Sequence, residues 1–109
     1  MRRGDIVTVA AKGAYTAKPR PAVIIQSDRF DETGSVTLCL ISRTELSTPL
    51  IRLDIQPSAQ NGLAEPSWIM VDKIATVPRK DVRGTNGRVT DEDMVRLNRA
   101  LTVFLGIAD

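Results

Sequence analysis

Apolar and polar positions alternate through Asp5-Ile6-Val7-Thr8-Val9-Ala10, and the apolar ones are mostly β-branched, so the first element predicted is a half-buried strand. Residues 11–18, small and interrupted by Gly13, read as a loop. Pro19-Arg20-Pro21 then fixes φ on both sides of one arginine and biases Lys18 and Arg20 away from helix. Two continuous apolar runs, 22–26 and 36–41, predict buried strands, with a polar loop over 27–35 between them. From Ile51 to Ile55 the alternation is strict: Ile51, Leu53 and Ile55 face one side, Arg52 and Asp54 the other. Asn61-Gly62-Leu63 is a turn signal, and 67–71 and 74–77 predict two more short strands, the second ended by Pro78. The stretch 79–88, with two glycines and four basic residues, reads as a basic loop.

After that the period changes. Thr90 is an N-cap followed by Asp91, Glu92 and Asp93, acids that favour the exposed N–H groups of a first turn, with Asp93 a short-armed capping-box partner. Met94, Leu97, Leu101, Phe104 and Leu105 recur at helical spacing and predict one amphipathic helix over 91–105 that packs along this stripe, with Gly106 at C′. The fold class expected is mainly β with a C-terminal helix, a small and strongly curved sheet or barrel closed by that helix.

Composition narrows the chemistry. At 109 residues, 42% hydrophobic and 26% charged, the chain is expected to be a single domain over 1–109 with an ordinary core. No apolar run is long enough to span a membrane, and the charged start, Met1-Arg2-Arg3-Gly4-Asp5, does not look like a signal peptide, so a cytoplasmic location is expected. There is no histidine, which excludes Ser-His-Asp triads, histidine-based zinc sites and histidine acid–base pairs. No metal-ligand set is visible and no cofactor is expected. The single cysteine, Cys39, lies in an apolar run and reads as buried and inert. Net charge is only +2, but 11 of the 15 basic residues are arginine, and residues 1–20 and 79–88 are both basic. Arginine binds phosphate bidentately, so the excess suits an anionic partner; a merely solvated surface is the bland alternative.

Five pieces recur in one order: Arg3-Gly4-Asp5-Ile6-Val7; Lys18-Pro19-Arg20-Pro21-Ala22-Val23-Ile24-Ile25-Gln26; an apolar strand ending at Ile41-Ser42; Asn61-Gly62-Leu63 ahead of Val71-Asp72-Lys73-Ile74-Ala75-Thr76-Val77; and a terminal helix. Together they resemble the MazF/PemK-like toxins of bacterial type II toxin–antitoxin pairs, over nearly the whole chain. The resemblance implies a small SH3-like β-barrel of the CcdB/PemK type and a homodimer. It also implies sequence-selective, metal-independent cleavage of single-stranded mRNA through the 2′-hydroxyl. The implied partner is a cognate antitoxin whose acidic, disordered segment occupies the RNA site.

The resemblance makes Arg20 the catalytic arginine. On the residues alone, an arginine held between prolines loses little freedom on meeting a phosphate and can stabilise a phosphorane without a metal; it can equally be a loop arginine in a rigid turn. Ser42 stands where the family usually carries threonine and keeps the hydroxyl, with Thr44 the alternate; a serine satisfying strand-end backbone is the competing reading. Asp72 aligns with an acidic position that some relatives use as a general base, or pairs with Lys73 at a strand junction. Tyr15 is the better base-stacking candidate and Trp68 a core residue. Lys18, Arg79, Lys80, Arg83 and Arg88 are expected to guide the RNA strand. Two other functions compete. A CcdB-like DNA gyrase poison finds a partial echo in Leu105-Gly106-Ile107, without the tryptophan such an ending carries, and a non-catalytic RNA-binding barrel is left open by serine at 42.

Overall fold

The computed structural model describes residues 1–10 and 18–108. Six strands are followed by one helix: β1 (Asp5–Val9), β2 (Arg20–Ile24), β3 (Ser35–Ser42), β4 (Arg52–Ile55), β5 (Ser67–Pro78), β6 (Val82–Arg88) and α1 (Asp91–Phe104). Single 3₁₀ turns occupy Asp28–Phe30 and Arg79–Asp81. The strands form one antiparallel sheet in the order β4-β5-β3-β2-β1-β6. The mainly β class with a C-terminal helix is thus the one observed. Among the described residues no helix is long and apolar enough to cross a membrane.

The two short strands expected over 67–77 are one strand with a bend. Cys39 pairs with Ile74 and Ile41 with Ile69, so two steps along β3 correspond to five along β5. Three extra residues are an odd number, and side chains in a strand alternate faces, so β5 exchanges its two faces there. Before the bend Ile69 and Val71 enter one core, with Ile6, Val23, Cys39, Ile41 and, from the helix, Leu97 and Leu101. After it Ala75 and Val77 pack on a second core of Val7, Val9, Ala22, Ile24, Val36 and Leu38. Both faces of the sheet are therefore buried over part of their area, which is why 22–26 and 36–41 read as continuous apolar runs.

The basic segment 79–88 is not a loop. It makes a 3₁₀ turn and then strand β6, which pairs with β1 through irregular register at Asp5↔Arg88, Val7↔Thr85 and Val9↔Val82. Glycines and charges argue against a strand, but an edge strand asks only for backbone pairing on one side and tolerates both.

The two edge strands, β4 and β6, do not pair, yet the segment after β4 lies along β6. Arg88 N–H donates to Gln60 O at 2.9 Å and Gln60 Nε2 to Val89 O at 3.3 Å. The turn that permits this is held by buried Asn61: its Oδ1 accepts from Ser58 N–H and Leu63 N–H at 2.9 and 3.0 Å, and its Nδ2 donates to Gln56 O at 2.7 Å. Gly62 is required next to it. Its φ is +69°, and a Cβ there would meet Asn86 O at 2.3 Å.

Helix α1 starts as expected, with Thr90 Oγ1 accepting from Asp93 N–H at 3.0 Å. Asp93 does not complete a capping box; its carboxylate takes Arg96 Nη1 at 2.9 Å instead. The helix ends at Gly106, φ +73°, with Ile107 N–H donating to Thr102 O and Gly106 N–H to Val103 O, a Schellman closure. The apolar stripe is buried only part-way: Leu97 and Leu101 are in the core, whereas Phe104 and Leu105 are 45% and 54% exposed. The sheet beneath the helix ends before its last turn does.

Gly62→Ala is expected to cost about 2–4 kcal/mol, the sum of overpacking against Asn86 and left-handed backbone strain. Gly34→Ala, where a Cβ meets nothing within 4 Å, is the control and is expected to stay within about 0.5 kcal/mol. Urea unfolding of the two variants checks this.

Candidate active site

Strand register places the candidate residues. Val9 pairs with Arg20, and Ser42 with Trp68. Between β2 and β3 the pairs are Ile24↔Leu38, Val23↔Cys39 and Ala22↔Leu40; the same register carried two residues further brings Arg20 level with Ser42. Val9, Arg20, Ser42 and Trp68 thus form one row across four strands, and residues in a row share a face. The row lies at the end of the second core, where apolar side chains give way to polar ones.

Arg20, Lys18, Ser42, Arg43 and Thr44, with Pro19, Pro21 and Ile41, line a cleft of about 320 Å³. Arg20 is exposed, and its side chain makes no hydrogen bond or ion pair to any other described residue. Its flanking prolines limit the backbone, so the guanidinium is presented by a stiff strand start. Thr44 N–H donates to Ser42 Oγ at 3.0 Å. That bond uses the oxygen as acceptor and leaves the hydroxyl hydrogen to donate. Tyr15 lies outside the described residues. Trp68, expected in the core, is half-buried and belongs to neither core cluster; it is the cross-strand neighbour of Ser42.

A second cleft of about 320 Å³ adjoins the first. The two share Pro19, Pro21 and Arg43, and the second adds Thr8, Leu63, Glu65, Ser67 and Asn86. Arg43 Nη1 donates to Glu65 Oε2 at 2.7 Å, with side-chain exposures of 73% and 55%. A pair this exposed contributes only about 0–1 kcal/mol. Sequence reading passes over Arg43 because it looks for hydroxyls on either side of it; its signal was position, directly after Ser42 at a strand end.

The remaining expected residues are distributed differently. Asp72 does not line the Arg20 cleft. It sits at the bend of β5 and accepts from Arg52 Nε and Nη2 at 2.8 and 3.0 Å. Arg52 is 9% exposed, and its hydrogen bonds hold the Asp72 carboxyl below the usual carboxylate range. The expected Lys73 pair is not made: Lys73 is exposed, and the bridge runs across strands to β4. In the basic segment Arg88 bonds Asp5 at 2.9 Å and Arg79 Nε donates to Thr33 O at 2.8 Å, so both hold the fold. Arg83 is exposed beside Val82, which pairs with Val9, and exposed Lys80 precedes Asp81, whose carbonyl accepts from Ala10 N–H at 2.8 Å, so both stand near the end of β1 that pairs with Arg20. Burial pushes the Cys39 thiol up to about 12, which keeps it protonated and unreactive.

With this geometry in view, the comparisons are specific. Residues 2–105 match the family described as PemK-like, MazF-like toxin of type II toxin-antitoxin system. A protein of Mycolicibacterium smegmatis named probable endoribonuclease MazF is 54% identical over 108 residues, covering 99% of both chains. Among solved structures, a mycobacterial endoribonuclease in complex with its cognate antitoxin superposes with a TM-score of 0.81 at 22% identity, covering 100% of this chain and 98% of that one. A Deinococcus radiodurans MazE–MazF structure gives 0.78 at 15% identity, covering 97% and 96%. The chain belongs to the PemK-like, MazF-like toxin family.

Asp72→Asn is expected to cost about 1–2 kcal/mol at pH 7, since it breaks a bidentate pair that solvent reaches on one side. The folded carboxyl lies below its unfolded value, so the stabilisation is complete above about pH 4 and fades as pH falls through the folded pKa. The gap in denaturant midpoint between wild type and variant is therefore expected to be smaller at pH 3 than at pH 7. An equal gap at both pH values would contradict the assignment.

Proposed function

We propose that the Arg20 cleft cleaves single-stranded RNA by attack of a 2′-hydroxyl on the adjacent phosphorus: the 2′-O–P bond forms as the P–O5′ bond breaks, and the proton lost from the 2′-oxygen is balanced by one gained at the leaving 5′-oxygen. The chain is a MazF-like toxin and an endoribonuclease, as its close whole-length relative is named. The observation that carries the assignment of the site is the pairing of a free arginine with a donor hydroxyl in one row: Arg20 level with Ser42, whose oxygen is fixed by Thr44 N–H. Attack by the 2′-oxygen puts negative charge on the equatorial oxygens of a phosphorane. A guanidinium and a hydroxyl aimed at those oxygens stabilise it more than the starting phosphodiester, which is the condition for catalysis. Lys18, Lys80 and Arg83 steer the strand to this end of the sheet, and Tyr15 is proposed to stack on a base. Thr44 serves in reserve as a phosphate contact. Asp72 acts through Arg52 on the bend of β5. The reading needs no metal or cofactor.

The partners follow from the same surface. The solved relatives include toxin–antitoxin complexes, and an acidic, disordered antitoxin segment would meet Lys18, Arg20 and Arg43 with complementary charge. A homodimer is proposed through the helix face that the sheet leaves uncovered. There Leu50 is 78% and Val103 46% exposed, and Pro49, Leu50, Leu53, Ala100 and Val103, together with Arg96 and Arg99, line a cleft of about 290 Å³. A toxin acting on mRNA belongs in the cytoplasm.

Arg20→Ala is expected to lower the cleavage rate by about 10²–10³ while changing stability by under about 1 kcal/mol. Arg20→Lys is expected to recover little, because a point charge does not reproduce the planar fork. Ser42→Ala should lose less than Arg20→Ala, and Ser42→Thr should hold activity. Gel assays on a fluorescent RNA in EDTA, with thermal melts of each variant, check the series. Light scattering should find two chains per particle for the wild type and one for Val103→Glu.

A further inference from the structure

The two clefts meet at Arg43, and Arg43 is the only basic side chain lining either cleft that is already paired, among the described residues. Its partner Glu65 faces the second cleft. A negatively charged group on the wall of an RNA groove repels phosphate, so its presence beside Arg20 asks for a reason. The pair is exposed at both ends and tied by one hydrogen bond of 2.7 Å, so it can be exchanged for stronger contacts. A phosphate offers Arg43 two oxygens in fork geometry. Glu65, once released, can only accept hydrogen bonds, and it stands in a cleft whose wall, Leu63, is apolar enough to hold a base. Across that cleft Asn86 Nδ2 donates to Thr8 Oγ1 at 2.6 Å, leaving its Oδ1 unengaged among the described residues. The second cleft therefore presents acceptors, which select a base with donors on its pairing edge. Guanine, with N1–H and N2–H side by side, matches a carboxylate with both.

We propose that RNA opens the Arg43–Glu65 pair: Arg43 moves to a backbone phosphate in the Arg20 cleft, and Glu65, with Asn86, reads a donor-bearing base in the adjoining cleft. Glu65 is then a specificity-determining residue. It weakens binding of strands that do not supply the right base, because those strands must displace it from Arg43 without compensation. The proposal rests on the Arg20 cleft being the RNA site.

The test is a double-mutant cycle read by the fluorescence of Trp68, the single tryptophan, on single-stranded RNA oligonucleotides, together with sequencing of the cleavage sites in a random RNA pool. Glu65→Gln is expected to bind non-selected RNA about 3–10-fold more tightly. Arg43→Ala is expected to weaken all RNA about 10-fold and to reduce the salt slope by about 0.7, one single-strand phosphate contact. Added to Arg43→Ala, Glu65→Gln should give no gain. In the pool, Glu65→Gln should lose preference at one position of the cleaved sequence and keep the rest. A Glu65→Gln that weakens binding, a gain that persists without Arg43, or an unchanged cleavage sequence would each overturn the proposal. Melting temperatures of the variants should match wild type, and a large drop would make the pair structural and also overturn it. If Arg20→Ala cleaves like the wild type, the Arg20 reading fails; the binding cycle still decides the exchange.

Discussion

Strand β5 must line one core with Ile69 and Val71 and a second with Ala75 and Val77. A strand changes sides only by taking up an odd number of extra residues, and here it takes up three. Much of the molecule depends on that bend. It lets one sheet bury both faces. It places Asp72 where Arg52 of the neighbouring strand can bind it with both carboxylate oxygens. It also leaves the first half of β5 to hold the end of β3, with Ser42 opposite Trp68. Slipping β3 by one residue against β2 would turn Ser42 to the opposite face from Arg20. The cleft is thus a consequence of how the sheet is folded over, and the side chains proposed to do the chemistry contribute little to holding it.

The arginines divide accordingly. Arg52, Arg79, Arg88 and Arg96 are committed to bonds that join elements distant in sequence: β4 to β5, the 79–81 turn to Thr33, β6 to β1, and the helix to Asp54. The Arg20 side chain has no partner among the described residues, and Arg43 has one that solvent can easily replace. A net charge of +2 generates only a weak global field; what matters for an anionic strand is that Lys18, Arg20, Lys80 and Arg83, none with a side-chain partner among the described residues, stand at one end of the sheet.

Local patterning carried much of this. Alternation and β-branching located β1 and β4, apolar runs located β2 and β3, and the Thr90 cap with its acids located the helix start. Arg20 and Ser42 were singled out by the family resemblance, with the flanking prolines and the strand end as local signals beside it. What the sequence hid is non-local. The gap at Asp72-Lys73 looks like a break between two strands, because a bulge interrupts alternation as a loop does. Strand β6 carries two glycines and is held by pairing to β1 and by the Asn61 turn, partners far away in sequence. The helix stripe runs on to Phe104 and Leu105 although the sheet beneath it has ended, and periodicity cannot tell which surface meets an apolar face. Arg43 matters because two clefts meet at it, a fact of packing. The Asp72–Arg52 pair follows from strand order, which puts β4 beside β5.

The central claim is that Arg20 and Ser42 stabilise a phosphorane formed by the RNA's own 2′-oxygen. The most direct measurement is mass spectrometry of the product termini from an RNA cleaved in EDTA, alongside the same RNA carrying one 2′-deoxy sugar at the scissile position. The account predicts a 2′,3′-cyclic phosphate and a 5′-hydroxyl from the first and no cleavage at that position in the second. A 5′-phosphate terminus, or cleavage of the 2′-deoxy substrate, would contradict it.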